Sequence, residues 1–251
     1  MVGAIRDSIE LQHKKMKKQL LIIFLLSTVI SKAQVNFNNV FNSVNSSLGH
    51  GLSNEDIISG LKEALSLGSK NAGDKASKLD GFYKNDLIKI PFPSEARDMK
   101  NTLVSIGMKS QVDKFEKQLN RAAEDAAIKA APIFINAVTK MNINDGLAIL
   151  TGKNDEATQF LKRVTTSDLI KEFTPIIQAS LSKVQITKYW TPLSKSYNQV
   201  PFVRKVNPDL NTYVTQKAID GMFILVAQEE AKIRKDPAAQ VTDNLKKVFK
   251  K

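Results

Sequence analysis

A chain of 251 residues with 42% hydrophobic and 25% charged residues has room for one large domain or two small ones and an ordinary globular core. It holds no cysteine and only two histidines, His13 and His50. Disulfides, thiolate metal sites, cysteine nucleophiles and lipid attachment through a cysteine are therefore excluded, as are Ser-His-Asp, HExxH and Glu-x-x-His sites after residue 50.

Lys17 and Lys18 precede an apolar run from Leu20 to Leu26 that continues to Ile30 and ends at Ser31-Lys32-Ala33. A basic start, a short apolar centre and a small-x-small cleavage site predict a secretory signal peptide over 1–33, cut before Gln34. The run is too short for a bilayer span, which takes about 20 apolar residues. The polar stretch before Met16 is unusual for a leader, so Met16-Lys17-Lys18 is the expected true start. These features predict export to the periplasm or cell envelope, with no transmembrane span after signal removal. Cleavage removes six basic and two acidic side chains and lowers the net charge from +12 to +8. The remaining basic residues are scattered, mostly singly, and the one real cluster is Lys246, Lys247, Lys250 and Lys251. They lack interleaved aromatics and read as a solvated face, which argues against a nucleic-acid partner.

Residues 34–51, rich in Asn, Ser and Gly, predict a flexible segment. Residues 52–251 then carry helical patterning almost throughout. Ser53 opens a helix whose Ile57, Leu61 and Leu65 recur every fourth position, and Asp80-Gly81 supplies its stop. Ile90-Pro91-Phe92-Pro93 is extended, because proline bars helix for its predecessor. Ser94 caps a short helix ending at Gly107. From Ser110 to about Met141, Phe115, Leu119, Ala122, Ala126, Ala130 and Ile133 form one stripe widened by Ala123, Ala127 and Ala131. Pro132 kinks or divides that helix. Short helices follow over Asn142–Leu150 and Asp155–Arg163. Ser167 caps the next, which Pro175 bends. Tyr189, Trp190 and Tyr197 occupy a short helix ending at Asn198. The last long helix runs from about Asp209 to Lys235, and a small closing helix begins at Thr242. The expected fold is all-α: one multi-helix domain with two buried central helices, the alanine-rich one and the one carrying Ala218–Ala227.

Two groups of charges interrupt those central helices. On the first, Asn120 and Glu124 lie one turn apart, as do Arg121 and Asp125. On the second, Asp220 is the one charge in an apolar run, with Lys217 and Tyr213 on its face as expected partners, and Glu229, Glu230 and Arg234 follow. Meeting between the helices, these side chains make either a polar pocket with carboxylates for acid–base work or oxygen ligation of a cation, or a salt-bridge network fixing helix register. The network is the favoured reading, since no phosphate loop or calcium loop accompanies the charges. No cofactor is indicated, and no catalytic or metal-ligating residue is assigned. Tyr189, Trp190 and Tyr197 suit either core filling or stacking on a flat ligand.

Leu52-Ser53-Asn54-Glu55-Asp56-Ile57, Asp80-Gly81-Phe82-Tyr83, Ile90-Pro91-Phe92-Pro93 and Leu119-Asn120-Arg121-Ala122-Ala123-Glu124, taken with Lys188-Tyr189-Trp190 and Ala218-Ile219-Asp220-Gly221-Met222-Phe223, resemble an uncharacterised bacterial family, domain of unknown function 4197. The resemblance covers about Leu52 to Phe249. It implies an exported helical envelope protein and supplies no activity or functional residues. The expected function is non-enzymatic binding of an envelope partner or small ligand. The alternatives are a carboxylate- or divalent-metal-dependent hydrolase, and a carrier of apolar ligands that requires a cavity of about 300 Å³ or more.

Overall fold

Apolar residues that recur every three or four positions are buried by packing helix on helix, and short loops leave neighbouring helices antiparallel. The computed structural model, which describes residues 54–183, 185–199, 201–207 and 209–235, has this architecture and no strand among the described residues. The leader, the segment 34–51, Ser53, the closing helix after Thr242 and the terminal lysines lie outside the described residues. Helix α1 spans Asn54–Ser77, α2 Arg97–Ser105, α3 Lys109–Ala127 and α4 Ala130–Thr139. They are followed by α5 over Ile143–Thr151, α6 over Glu156–Ser182, α7 over Gln185–Asn198 and α8 over Leu210–Lys235. A single 3-10 turn, Ser94–Ala96, leads into α2.

The alanine stripe sits where its pattern put it. Phe115, Leu119, Ala122, Ala126 and Ala130 are buried, with Ala123 and Ala127 beside them, and Ile133 is half-buried. Proline divides the segment rather than kinking it. The break falls at Ile128-Lys129, which makes Pro132 the third residue of α4, where a backbone N–H has no helical partner to lose. Helix α8 is buried on most of its circumference, through Val214, Ala218, Ile219, Met222, Phe223, Leu225 and Val226. It packs on α6, α1 and α3, and α3 in turn packs on α6.

Two expected helix starts are corrected. Asp155–Arg163 and the helix after Ser167 are one continuous α6. The hydroxyls just before Ser167 bond back into the same helix: Thr165 Oγ1 donates to Leu161 O and Thr166 Oγ1 to Lys162 O, each at 2.6 Å. Such back-bonds satisfy the hydroxyls inside a continuous helix, so no break falls before Ser167. Ser94 likewise lies inside the 3-10 turn and caps nothing, with Pro93 at the preceding position. The start at Asn142 holds, closed by a reciprocal box in which Asn142 Oδ1 accepts from Asp145 N and Asp145 Oδ2 from Asn142 N, both 3.0 Å.

Helix α1 ends against a tight reversal. Asp80 has φ +67°, and Gly81 lies over the last carbonyls of α1, so a Cβ there would stand 2.4 Å from Lys75 O and 2.5 Å from Ala76 O. Phe82 then turns inward, fully buried, against the bare backbone of Gly221 on α8, where a Cβ would meet its ring at 2.7 Å. Alanine at 221 gains about 1 kcal/mol of helix propensity but overpacks a ring with no room to move, at about 1–3 kcal/mol. Gly221→Ala is therefore expected to lower the thermal midpoint modestly. Gly81→Ala should lower it further, because backbone carbonyls cannot step aside.

Candidate functional site

From residue 78 to 93 the chain runs through turns and extended backbone, with no neighbouring strand to satisfy its amides. Buried amides left without partners would cost about 1–3 kcal/mol each. Helix α3 supplies the partners from side chains spaced four apart. Glu116, Asn120 and Glu124 lie one above another on a single face. Glu124 Oε1 accepts from both Phe82 N and Tyr83 N, each at 3.1 Å. Asn120 Oδ1 accepts from Ile90 N, and Asn120 Nδ2 donates to Ile90 O, both at 2.8 Å. Glu116 Oε1 accepts from Phe92 N at 3.3 Å and pairs with Lys100. Tyr213 on α8 closes the far side by donating its hydroxyl to Pro91 O at 3.1 Å. Burial raises the Tyr213 phenol to about 12, with the nearby Glu95 and Glu116 charges adding to the effect.

Arg121 stands one position along from that face and neutralises it. Its guanidinium pairs with Glu124 and with Asp80, whose other oxygen meets Lys84 at 2.8 Å. Hydrogen bonds from Lys84 and then Arg121 hold the Asp80 carboxyl below its usual value. Burial pulls the Arg121 guanidinium down, but its bonds to Glu124 and Asp80 outweigh that and leave it raised. The Tyr83 ring extends from this cluster, half-buried, with Lys89 Nζ 4.8 Å, Arg121 Cζ 5.9 Å and Lys117 Nζ 6.0 Å from its centre.

A second cluster joins three other helices. Glu230 of α8 is buried against the first turn of α6, where its carboxylate accepts from Ala157 N (3.1 Å), Thr158 N (2.9 Å) and Thr158 Oγ1 (2.7 Å). A negative group at the positive end of a 27-residue helix is favoured by the helix dipole as well. Asp155, the residue before that helix, makes no cap with its own side chain. Arg234 pairs with Glu230 at 2.8 Å and donates to Ile149 O of α5 at 2.9 Å.

The candidate residues thus fall into separate clusters. Asn120, Arg121 and Glu124 belong to the α3 ladder, and Glu230 and Arg234 to the α6 cap. Glu229 pairs with Lys232 at 2.6 Å and accepts from Asn71 Nδ2 at 3.2 Å. Asp125 is exposed and accepts from Ser180 Oγ at 2.8 Å. Lys217 is exposed. Asp220 is half-buried and accepts from Gln216 Nε2 at 3.2 Å, so the expected pairing with Lys217 or Tyr213 gives way to a partner one turn back. Arg121 pairs with Asp80 and Glu124 rather than Asp220. Glu116 and Asp80 join the site without having been expected there, although the spacing of four from Glu116 through Asn120 to Glu124 is visible in the sequence.

Trp190 is buried, its ring 5.6 Å from Phe92 and 5.4 Å from Phe115. It fills core space and is closed to a stacking ligand. Tyr197 packs on the same core, and the Tyr189 side chain lies outside the described residues. A cavity lined by Leu61, Leu65, Ile149, Ala157, Ile233 and the Glu230–Arg234 pair holds about 10 Å³, room for one water. No group of three or more His, Cys, Asp or Glu among the described residues is arranged to hold a metal. No helix among them is long and apolar enough to cross a membrane.

A family model described as a protein of unknown function, DUF4197, matches residues 51–250. The chain belongs to this family. No curated protein and no solved structure matches it. In this DUF4197 chain, the matched residues include both charge clusters and the whole 78–93 segment.

Removing Glu124 strands two amides and one guanidinium partner. Glu124→Ala is expected to cost about 3–5 kcal/mol in denaturant unfolding. Glu124→Gln retains the acceptor oxygen for Phe82 and Tyr83 and should lose about 1.5–3 kcal/mol. Asp80 predicts acid lability. Because its folded pKa lies below its unfolded one, its stabilisation is complete above the unfolded value of about 3.9 and fades as pH falls through the folded value. Asp80→Asn keeps a residue that tolerates positive φ. Its thermal midpoint should therefore fall less steeply than that of the wild type below about pH 4. The residual slope includes Asp209, whose pKa is lowered by the Thr212 hydroxyl and amide.

Proposed function

We propose that this is an exported, non-enzymatic envelope protein that binds an anionic partner on the face around Tyr83. The observation that carries this reading is the gathering of Lys89, Lys117 and Arg121 about one aromatic ring. These cations come from two chain segments that the Glu124 and Asn120 contacts hold together. Cation–aromatic contacts keep long basic side chains ordered over the ring. Among the described residues neither Lys89 nor Lys117 enters an ion pair. Both are exposed, so their charge is available to a partner, while Arg121 is committed inward.

The buried carboxylates support a non-catalytic reading. Glu124 and Glu230 spend their oxygens on backbone amides and arginines, which leaves little capacity for a substrate proton. Of the residues behind the hydrolase alternative, Glu124 and Arg121 hold the 78–93 segment in place, while Asp125, Asp220 and Glu229 bond to side chains at separate places. Export rests on the leader over 1–33 and its Ala33-Gln34 junction.

Inorganic polyphosphate is the probe, because it offers phosphate charge without an apolar surface. The processed protein, with a mature N-terminus at Gln34 by intact mass, should bind it more weakly as salt rises. The Lys89→Glu/Lys117→Glu double variant should lose about tenfold or more at low salt while melting like the wild type. Absence of wild-type binding, or equal binding by the folded double variant, would overturn the anionic-partner reading.

A further inference from the structure

The connection from α7 to α8 carries a side chain at odds with its backbone. Phe202 adopts φ +65°, and the residue is fully exposed. A residue after proline with positive φ occupies the place that glycine or asparagine takes in a type II turn. A bulky aromatic is strained there, and in full solvent it gains nothing from burial in return.

The turn is nevertheless held firmly from below. Asn198, the last residue of α7, accepts from Val206 N through Oδ1 and donates to Val206 O through Nδ2, both at 2.7 Å. Trp190 Nε1 donates to Asn207 O at 3.3 Å, and Val206 is buried. Both ends of the loop are thus fixed to α7, with Pro201-Phe202 beyond them. Arg204 and Lys205 follow, both exposed.

We infer that this loop is a docking finger for an anionic lipid surface, with Phe202 as the inserting tip and Arg204 and Lys205 as the headgroup contacts. One ring with two adjacent cations matches a bilayer better than a protein pocket. The ring enters the acyl boundary while the cations remain among the phosphates, and no shaped cavity is required.

The test is co-sedimentation of the processed protein with phosphatidylcholine vesicles, with and without phosphatidylglycerol. Binding should require phosphatidylglycerol and weaken with salt. Phe202→Ser and Phe202→Gly should each weaken it about tenfold. The glycine variant should melt no lower than the wild type, since it accepts the turn without strain. Phe202→Trp should bind and add a blue-shifted emission component to that of Trp190. Failure of the wild type to bind, or equal binding by Phe202→Ser, would overturn the assignment. Self-association that Phe202→Ser abolishes would overturn it in favour of a second copy of the chain as occupant. The two surfaces are separable: Phe202→Ser should still bind polyphosphate, and the Lys89→Glu/Lys117→Glu variant should still allow the emission shift when Phe202→Trp is added.

Discussion

The structure depends on satisfying a stretch of backbone that has no secondary structure of its own. Residues 78–93 connect α1 to the rest of the chain and bring Phe82, Ile88, Ile90 and Phe92 into the core. Apolar side chains can be buried this way only if the adjacent amides and carbonyls find partners, because an unmatched buried amide offsets most of what a buried isoleucine contributes. Glu116, Asn120 and Glu124 provide those partners from one rigid helix face. Their spacing along α3 determines where each segment of the loop lies. The Phe92–Phe115–Trp190 aromatic contact then follows, since Phe92 is placed by its own amide bond to Glu116.

The Glu230–Arg234 pair addresses the same problem at a helix end. The first turn of α6 exposes amides that Asp155 leaves uncapped, and Glu230 reaches them from α8. A local cap would have fixed only the start of the helix. A cap delivered by a distant helix also fixes the position of α8 along α6, and Arg234 extends the link to the end of α5. The two most deeply buried carboxylates among the described residues, Glu124 and Glu230, thus each meet backbone amides as well as an opposite charge. That combination is what makes a buried ion tolerable. It also explains why charges that look suited to catalysis from sequence are occupied in the fold.

What the sequence disclosed was whatever depends on near neighbours. The alanine stripe of α3, the extended Ile90-Pro91 pair, the Asn142 start and the apolar run of α8 all follow from periodicity or from proline geometry, and all are present. The expected start at Ser167 lies inside one continuous helix, in which the preceding Thr165 and Thr166 bond back to carbonyls one turn earlier, because a hydroxyl residue fits a helix interior as well as a cap. Asp220 looked enclosed because its neighbours in sequence are apolar. The close approach of Gly221 to Phe82 accounts for the bare backbone there, while Asp220 remains half-buried with Gln216. The partners of Glu124 and Glu230 lie about 40 and about 70 residues away in sequence. No local pattern records pairings over those separations, so Asn120 and Glu124 stand out in the sequence while the backbone they hold does not.

The same local device appears in two places and bears on how surfaces are presented. Asn120 grips both the N–H and the C=O of Ile90, and Asn198 grips both backbone groups of Val206. A carboxamide has one donor side and one acceptor side at the spacing of a peptide group, so it substitutes for one rung of a β-ladder. Aspartate lacks the donor and leucine lacks both groups, so neither reproduces the grip. Among the described residues, which contain no strand, this gives irregular segments a fixed register against helices. The two gripped segments are those that carry the exposed chemistry: the Lys89–Tyr83 contact lies beside Ile90, and the Phe202 turn closes on Val206. Exposed groups on segments fixed in this way do not need to be ordered when a partner arrives, which lowers the entropic cost of binding. The asparagine grips thus connect the stability of the helical body to the two surfaces proposed to bind partners.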